Sequence, residues 1–440
     1  MTSSKQAAPQ ATELTPSKVP AKAWGVTFAG MAINLCLGIL YAWSIWKKAL
    51  SADAKHAAGT LMHGLNEGWV YLNDAQATWA YATCGFVFAL SMIPGGKLQD
   101  KLGPRIGVTL GGLFLATGCI VAGLMRSFPG LVLGFGLLGG IGMGLGYASA
   151  TPAAVRWFGP HKRGLIVGIV VGGYGGAAIY ISPLATTLIK TYGISGSFIA
   201  LGILFAIVVI IAGRLLSMPP EGYVAPGPPV SSTAKVTQAT ASWTAAQMVK
   251  TWQFYALVFI FFGSAQSGLL VIGNAVKVLN DTAKGVPFLV AAGWILSSFG
   301  GIVNASGRIC TGIYSDKLGR KLAFAINGLV SVLCLALTPY VMKSGNVALL
   351  FLVVGVAFWQ YGGGLALLPA LTADYFGPKH LGYNYGLVFL GWGLAFFVPQ
   401  LAGYMKVAIH TMDPVFYLAA GIQFIAILVS QKLTRPQMAA

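Results

Sequence analysis

Residues 312–321 read GIYSDKLGRK and residues 96–105 read GKLQDKLGPR, so one ten-residue pattern occurs twice in the chain. In both copies a glycine precedes an aspartate by four residues, and a second glycine follows that aspartate by three. The stretches 156–164 (RWFGPHKRG) and 374–382 (DYFGPKHLG) match at nearly the same offset, 218 residues against 216. Matches at one offset predict that the chain consists of two related halves.

The composition is that of an integral membrane protein. Hydrophobic residues make up 56% of the 440 residues and charged residues only 9%, whereas a soluble domain carries about 25% charge. Runs of about 20 apolar residues, long enough to cross a bilayer, predict twelve spans: 24–46, 75–95, 106–125, 129–155, 164–189, 196–217, 253–275, 286–314, 322–342, 347–372, 383–405 and 414–431.

A Pro/Gly/Ser-rich stretch at 218–251 follows the sixth span and is typical of a linker. We therefore predict an all-α membrane protein whose twelve transmembrane helices form two pseudo-symmetric six-helix bundles, with both termini cytoplasmic. The predicted parts are a tail (1–23), a bundle (24–217), the linker (218–251), a second bundle (252–431) and a tail (432–440). Duplicated six-helix halves are typical of transporters that rock around a central site.

The net charge of +18 reflects membrane topology. With the N-terminus inside, about twice as many lysines and arginines lie on the cytoplasmic side as on the outer side, which is the positive-inside bias. We expect a multi-pass protein of the cell (inner) membrane, in contact with lipid and with no nucleic-acid partner. The cysteines lie within apolar spans without metal-ligand spacing, so we expect no metal and no cofactor.

Arg308 is the one basic residue predicted to lie deep in a span. No charged residue occurs from Val286 to Gly307, and Asp316 follows Arg308 by eight residues, about 12 Å along a helix. A central arginine costs at least about 2.5–3.5 kcal/mol, and no predicted span carries a deep carboxylate. Arg308 is therefore predicted to bind an anion. Snorkelling to an interface and pairing with backbone carbonyls or an unforeseen acid are the alternatives.

Polar residues at similar depth are candidates to complete the site. Gly301, Asn304 and Arg308 follow helical spacing, so they share one stripe of the helix. Three tyrosines stand beside glycine clusters that allow close helix packing: Tyr147, Tyr174 and Tyr361. Tyr41 lies nearer the outer end of its span, where a site role and an interface-belt role carry equal weight.

The Gly-x-x-x-Asp-Lys-x-Gly-Arg-Lys pattern resembles the signature loop of the major facilitator superfamily. This resemblance implies gating roles for Asp100, Arg105, Asp316 and Arg320. The stretches NASGR, YASATPAAVRWFGPHKRG and GGYGG are similar to those of the oxalate/formate antiporter branch and its relatives, the proton-coupled monocarboxylate (lactate) transporters. The resemblance implies that Arg308 binds a carboxylate and that the four tyrosines line the pocket.

Two departures from the family pattern bear on the substrate and the coupling. Oxalate carriers place a lysine in span eleven, where this chain has Trp392. One deep cation fits one carboxylate, and Trp392 would close the pocket against an apolar substrate end. Animal monocarboxylate carriers pair the arginine with an aspartate one turn earlier, where this chain has Asn304. They also use a lysine in span one, whereas span one of this chain has no charge before Lys47.

The expected function is secondary active transport of small monocarboxylates such as L-lactate or pyruvate, coupled to protons and performed by a monomer through alternating access. Carboxylate exchange of the oxalate/formate type is the alternative. A carboxylate sensor on a transporter scaffold is a remote one, because such sensors carry long soluble extensions. No nucleophile and base pair lies within the spans, so an enzyme is not expected.

Overall fold

The protein is built from α-helices. The computed structural model describes residues 18–53, 55–220, 222–226, 243–377 and 380–437. Within these ranges, extended pairing is limited to two isolated bridges, Ser51 with Leu72 and Leu61 with Val70. The prediction of an all-α membrane protein is confirmed.

The helices follow one another along both halves of the chain. In the first half they are α1 Ala21–Leu37, α2 Trp43–Leu50, α3 Asp74–Leu102, α4 Pro104–Met125, α5 Phe128–Leu131, α6 Gly140–Val155 and α7 Pro160–Leu215. In the second half they are α8 Ala245–Met248, α9 Trp252–Thr282, α10 Pro287–Ala291, α11 Trp294–Leu318, α12 Arg320–Ser344, α13 Val347–Phe376, α14 Leu381–Val388, α15 Leu390–Leu394, α16 Phe397–Ile409 and α17 Asp413–Lys432.

The long helices lie where the sequence predicts membrane spans. Ten stretches among the described residues are long and apolar enough to cross a bilayer. One of them, Leu165–Leu215, is interrupted at Gly193, whose φ of 71° breaks α7 between the predicted spans five and six. Helix α11, which carries Arg308, is not among the ten, but its 25 residues are enough to span the hydrocarbon core. The count of twelve crossings stays a prediction.

The repeated signature pattern gives the same backbone turn in both halves. Helix α3 ends at a glycine with φ 82°, Gly103, and α11 ends at Gly319 with φ 87°. The amide of Gly103 donates to the carbonyl of Gln99, and the amide of Gly319 donates to the carbonyl of Ser315. A left-handed φ strains residues that have a Cβ, so the glycines of the pattern are required by the turn.

The signature-loop arginines bind within their own halves. Arg105 Nε donates to the carbonyl oxygen of Leu216 at 2.6 Å, at the end of α7. Arg320 is 3.0 Å from the carboxylate of Asp316 and 3.1 Å from that of Asp374. The side chain of Asp100 lies outside the described residues. Each described arginine therefore ties its loop to the end of a neighbouring helix in the same half.

The two halves meet along α2, α3 and α7 on one side and α9, α11, α14, α15 and α16 on the other. A short 3-10 turn, Gly38–Ala42, joins α1 to α2 within span one. A Cβ on Gly38 would lie 2.6 Å from the carbonyl oxygen of Tyr174, so a larger residue could not approach α7 this closely. This close approach places Tyr41 beside Tyr174, at the surface shared by the halves.

Part of the predicted linker is folded. The short helix α8 has a capping box made by Thr244 and Gln247. The amide of Trp243 donates to the carbonyl of Phe376, and Asn384 Nδ2 donates to the carbonyl of Trp243. The C-terminal end of the linker is thus attached to the second half.

Candidate substrate site

Arg308 lies buried between the two halves and contacts neutral groups. It is 5% exposed. Its Nε donates to Asn304 Oδ1 one turn earlier on α11 at 3.1 Å, which is the contact that the helical stripe predicts. Its Nη1 donates to the carbonyl oxygen of Val171 on α7 at 3.1 Å, and its Nη2 donates to Tyr41 Oη at 3.3 Å. None of the ion pairs found among the described residues includes Arg308.

These contacts leave donor capacity on the guanidinium. An arginine has five N–H groups, and each terminal nitrogen of Arg308 uses one of its two N–H groups in the hydrogen bonds above; the second N–H groups face neutral neighbours such as the Tyr147 hydroxyl. A carboxylate is the group that best matches two neighbouring guanidinium N–H donors. The arrangement is suited to binding one anion.

A hydroxyl pair extends from Arg308 to the second half. Tyr41 Oη and Tyr361 Oη are 2.6 Å apart, and Trp392 Nε1 donates to Tyr361 Oη at 2.8 Å. Arg308 and Trp392 can only donate. The two hydroxyls have two hydrogens between them, and their mutual bond uses one. Whichever hydroxyl donates in that bond, the other O–H can donate to a further acceptor, such as a carboxylate.

Aromatic side chains surround this polar centre. Tyr147 lies close enough to interact with the Arg308 guanidinium. The Tyr174 hydroxyl donates to Met143 Sδ at 3.8 Å, so this residue presents mainly its ring, whose centroid is 5.0 Å from that of Tyr41. Trp392 packs against three phenylalanines with ring centroids 5.0, 4.7 and 4.6 Å away, Phe88, Phe389 and Phe396. The wall is apolar except for its hydroxyls.

A narrow cavity adjoins the centre on the side toward the N-terminal end of α11. It is lined by Tyr41, Gly175, Ala178, Ile272, Ala275, Ser297, Gly300, Gly301, Asn304 and Phe358. Most of these residues are small or apolar, and polar groups enter from Tyr41, Ser297 and Asn304. In this arrangement of the halves its free space is about that of one water molecule, so binding a substrate beside Arg308 requires the halves to separate.

Of the residues that the sequence selects, Asn304 and Tyr41 contact Arg308 directly, and Tyr361 and Trp392 join it through Tyr41. The carbonyl of Val171 and the rings of Phe88 and Phe389 were missed. A backbone acceptor carries no sequence signal, and a pocket phenylalanine cannot be distinguished by pattern from one that packs in the core.

Within the described part of the chain, no three His, Cys, Asp or Glu side chains converge as metal ligands.

The profile of the Major Facilitator Superfamily matches residues 23–358 and 289–439. The chain belongs to this superfamily and is a membrane transporter, not an enzyme. It is 27% identical over 357 residues to the oxalate:formate antiporter of Oxalobacter formigenes, covering 77% of this chain and 82% of that one. It is 24% identical over 443 residues to apicoplast pyruvate carrier 1 of Toxoplasma gondii, covering 82% and 79%.

A solved structure supports the fold alone. The inward-facing, unoccupied bacterial homologue of the human lysosomal transporter Spinster superimposes with a TM-score of 0.64 over 94% of this chain and 98% of that one, at 16% identity.

Proposed function

We propose that this transporter carries small monocarboxylates of the L-lactate or pyruvate type, in symport with protons, by alternating access around Arg308. In this proposal it works as a monomer in the cell (inner) membrane. The observation that carries the proposal is the contact set of Arg308: among the described residues, the partners found for this buried guanidinium are neutral, namely an amide, a carbonyl and tyrosine hydroxyls.

The physical reason is the cost of burying an uncompensated charge. Neutral partners satisfy hydrogen bonds but leave the positive charge in a medium of low dielectric, where an opposite charge interacts strongly. A bound carboxylate supplies that charge, so the loaded site becomes neutral as a whole. Neutralisation lowers the barrier to closing the halves around the substrate and reopening them on the other side.

A monocarboxylate fits this site better than a dicarboxylate. Arg308 is the single cation among the residues gathered at the centre, and Trp392, packed against Phe88 and Phe389, is linked to it through the hydroxyls of Tyr361 and Tyr41. A second carboxylate placed against these rings would lose its hydration without gaining a counter-ion. A methyl group would bury apolar surface there. The name of the pyruvate carrier among the relatives agrees with this substrate class.

Proton symport needs a proton carrier, and here that carrier is not an acidic side chain one turn before Arg308. Asn304, which occupies the position one turn before Arg308, does not titrate. In our proposal the proton travels with the substrate, or through the hydroxyl pair of Tyr41 and Tyr361, whose 2.6 Å bond lies next to the guanidinium.

Uptake of labelled L-lactate into proteoliposomes without internal anion, with and without an inward proton gradient, tests the proposal. We expect gradient-driven accumulation that is lost in Arg308→Gln and retained in Lys48→Gln, a matched removal of one positive charge at an exposed position. Accumulation by Arg308→Gln at the wild-type rate would contradict the role of Arg308.

Electroneutral exchange of two carboxylates is the second candidate, favoured by the likeness to the oxalate:formate antiporter. An exchanger would take up no label until formate, oxalate or lactate was loaded inside. That result would replace symport by exchange and leave Arg308 as the anion site.

A further inference from the structure

A polar cluster joins the halves at the predicted outer end of the cavity. Asp74, the first residue of α3, accepts a hydrogen bond from Lys277 Nζ of α9 at 2.5 Å. Lys47 of α2 is buried; its Nζ donates to Asn274 Oδ1 at 2.6 Å and lies 4.0 Å from Asp74 Oδ1. Asp74 Oδ1 itself has no hydrogen-bond partner. The carboxylate is therefore held mainly by Lys277.

The cluster divides unequally when the halves separate. Lys47 and Asp74 belong to the first half, so they stay together. Lys277 belongs to the second half and moves away from Asp74 with α9. Outward opening therefore leaves Lys277 without its carboxylate, at the moment when the pocket becomes accessible from outside. This step rests on the alternating access of the proposed function.

Lys277 lies on α9, the helix that contributes Ile272 and Ala275 to the cavity beside Tyr41 and Asn304. It follows Ala275, a lining residue, by two positions on α9, and Asn274 lies beside it. From the opposite half, Tyr41, Ser44 and Lys47 follow one another at three-residue spacing along span one. Ser44 Oγ is 2.9 Å from Ser297 Oγ, another lining residue. A line of polar groups thus runs from Lys277 and Lys47 to the Tyr41 hydroxyl that binds Arg308.

The charge at this end of the cavity is positive. Three lysines from three different spans act on one carboxylate, Asp74: Lys47, Lys277 and Lys406. Excess positive charge at the mouth of a cleft with apolar walls attracts anions and raises their local concentration. Asp74 offsets part of that charge. It binds Lys277 through a carboxylate, which is also the group by which the substrate would bind this lysine.

We propose that Lys277 is an external capture site for the substrate carboxylate, and that Asp74 competes with the substrate for it. With the outer side open, a small monocarboxylate binds Lys277 first and then passes to Arg308. With the outer side closed, Asp74 takes back Lys277, so the lysine never holds two carboxylates. No covalent bond changes, and the exchange of one carboxylate for another leaves the charge balance unaltered.

The test compares the KM for labelled L-lactate from outside and from inside, using right-side-out and inside-out vesicles. Lys277→Gln should raise the external KM about two- to fivefold, as for loss of an exposed ion pair, while the internal KM stays at its wild-type value. Asp74→Asn should lower the external KM, because the competitor loses its charge. Lys284→Gln, an exposed lysine on the same half, is the matched control and should change neither.

If Lys277 captures substrate, the two variants change the external KM in opposite directions. This distinguishes capture from a latch, meaning an ion pair that only holds the outer side closed. Both substitutions break the same ion pair, so a latch alone would shift the external KM downward in both, and that outcome would overturn the proposal. The proposal also fails if Lys277→Gln raises the internal KM as much as the external one. If the wild-type protein transports no monocarboxylate in either direction, the proposed function fails and with it the choice of L-lactate.

Discussion

Asn304→Asp is the most direct test of how Arg308 is used. The substitution replaces one amide by a carboxylate of the same shape, 3.1 Å from Arg308 Nε. At that separation and an effective dielectric constant of about 20, two unit charges attract by about 5 kcal/mol. Part of that energy is offset by desolvation of the new charge. The variant therefore gains an internal counter-ion that competes with the substrate.

We expect two effects of opposite sign from this substitution. The melting temperature should rise or stay level, because the buried guanidinium gains a partner. Substrate affinity should fall by about 2–3 kcal/mol, or roughly 30- to 150-fold, because the ligand carboxylate must share Arg308. Mild acidification to about pH 5 should not restore the affinity, because the neighbouring guanidinium favours the charged form of the new carboxylate. Thermal melts measure the first effect, and calorimetric titration of purified protein with L-lactate at several pH values measures the second.

Asn346→Asp is the matched control, because it adds the same charge at an exposed helix N-cap that aspartate serves equally well. It should leave affinity unchanged. If Asn304→Asp binds L-lactate as tightly as the wild type at neutral pH, the anion does not bind Arg308, and the reasoning from its neutral contacts is refuted.

Three further substitutions test single features. Trp392→Lys adds a second cation to the pocket wall, so oxalate should inhibit L-lactate uptake about tenfold more strongly than in the wild type; unchanged inhibition would contradict the substrate assignment. Tyr361→Phe leaves the buried Trp392 N–H without its acceptor and should cost about 1–3 kcal/mol of stability, seen as a lower melting temperature, whereas the exposed Tyr404→Phe should cost little. Gly319→Ala places a Cβ on a residue with φ 87°; since no neighbouring atom would contact that Cβ, backbone strain is the whole effect. Thermal melts should show a loss of about 1–2 kcal/mol in the free energy of unfolding. Gly312→Ala, where a Cβ also meets no neighbour but the backbone is helical, should show no such loss.

Local sequence pattern predicts those parts of the site that lie on one helix. Asn304 and Arg308 are four residues apart, so helical geometry alone places their side chains in contact, as found at 3.1 Å. The signature repeats likewise predict matching turns, and Gly103 and Gly319 adopt them. These features depend on chain neighbours, and periodicity captures them.

Contacts between distant parts of the chain were less accessible to prediction. Tyr41 meets Tyr361 across 320 residues and Arg308 across 267, and a membrane tyrosine is equally well explained by an interface belt. The pair of Asp74 and Lys277 spans 203 residues, and each residue alone reads as an ordinary charge at the end of a span. Packing angles between helices decide such pairings, and single-sequence patterns do not contain them.

The polar contacts that join the halves have a thermodynamic consequence for transport. Those described here lie at the depth of Arg308 or toward the predicted outer end: Tyr41 with Tyr361, Ser44 with Ser297, Lys47 with Asn274 and Asp74 with Lys277. Exposing the site outward requires breaking the outer ones, which costs free energy in the empty carrier and lowers the population of its outward-facing form. Apparent affinity falls in proportion to the population that can bind. The same pocket should therefore take up its anion more weakly from outside than from the cytoplasm, without any difference in the groups that hold it.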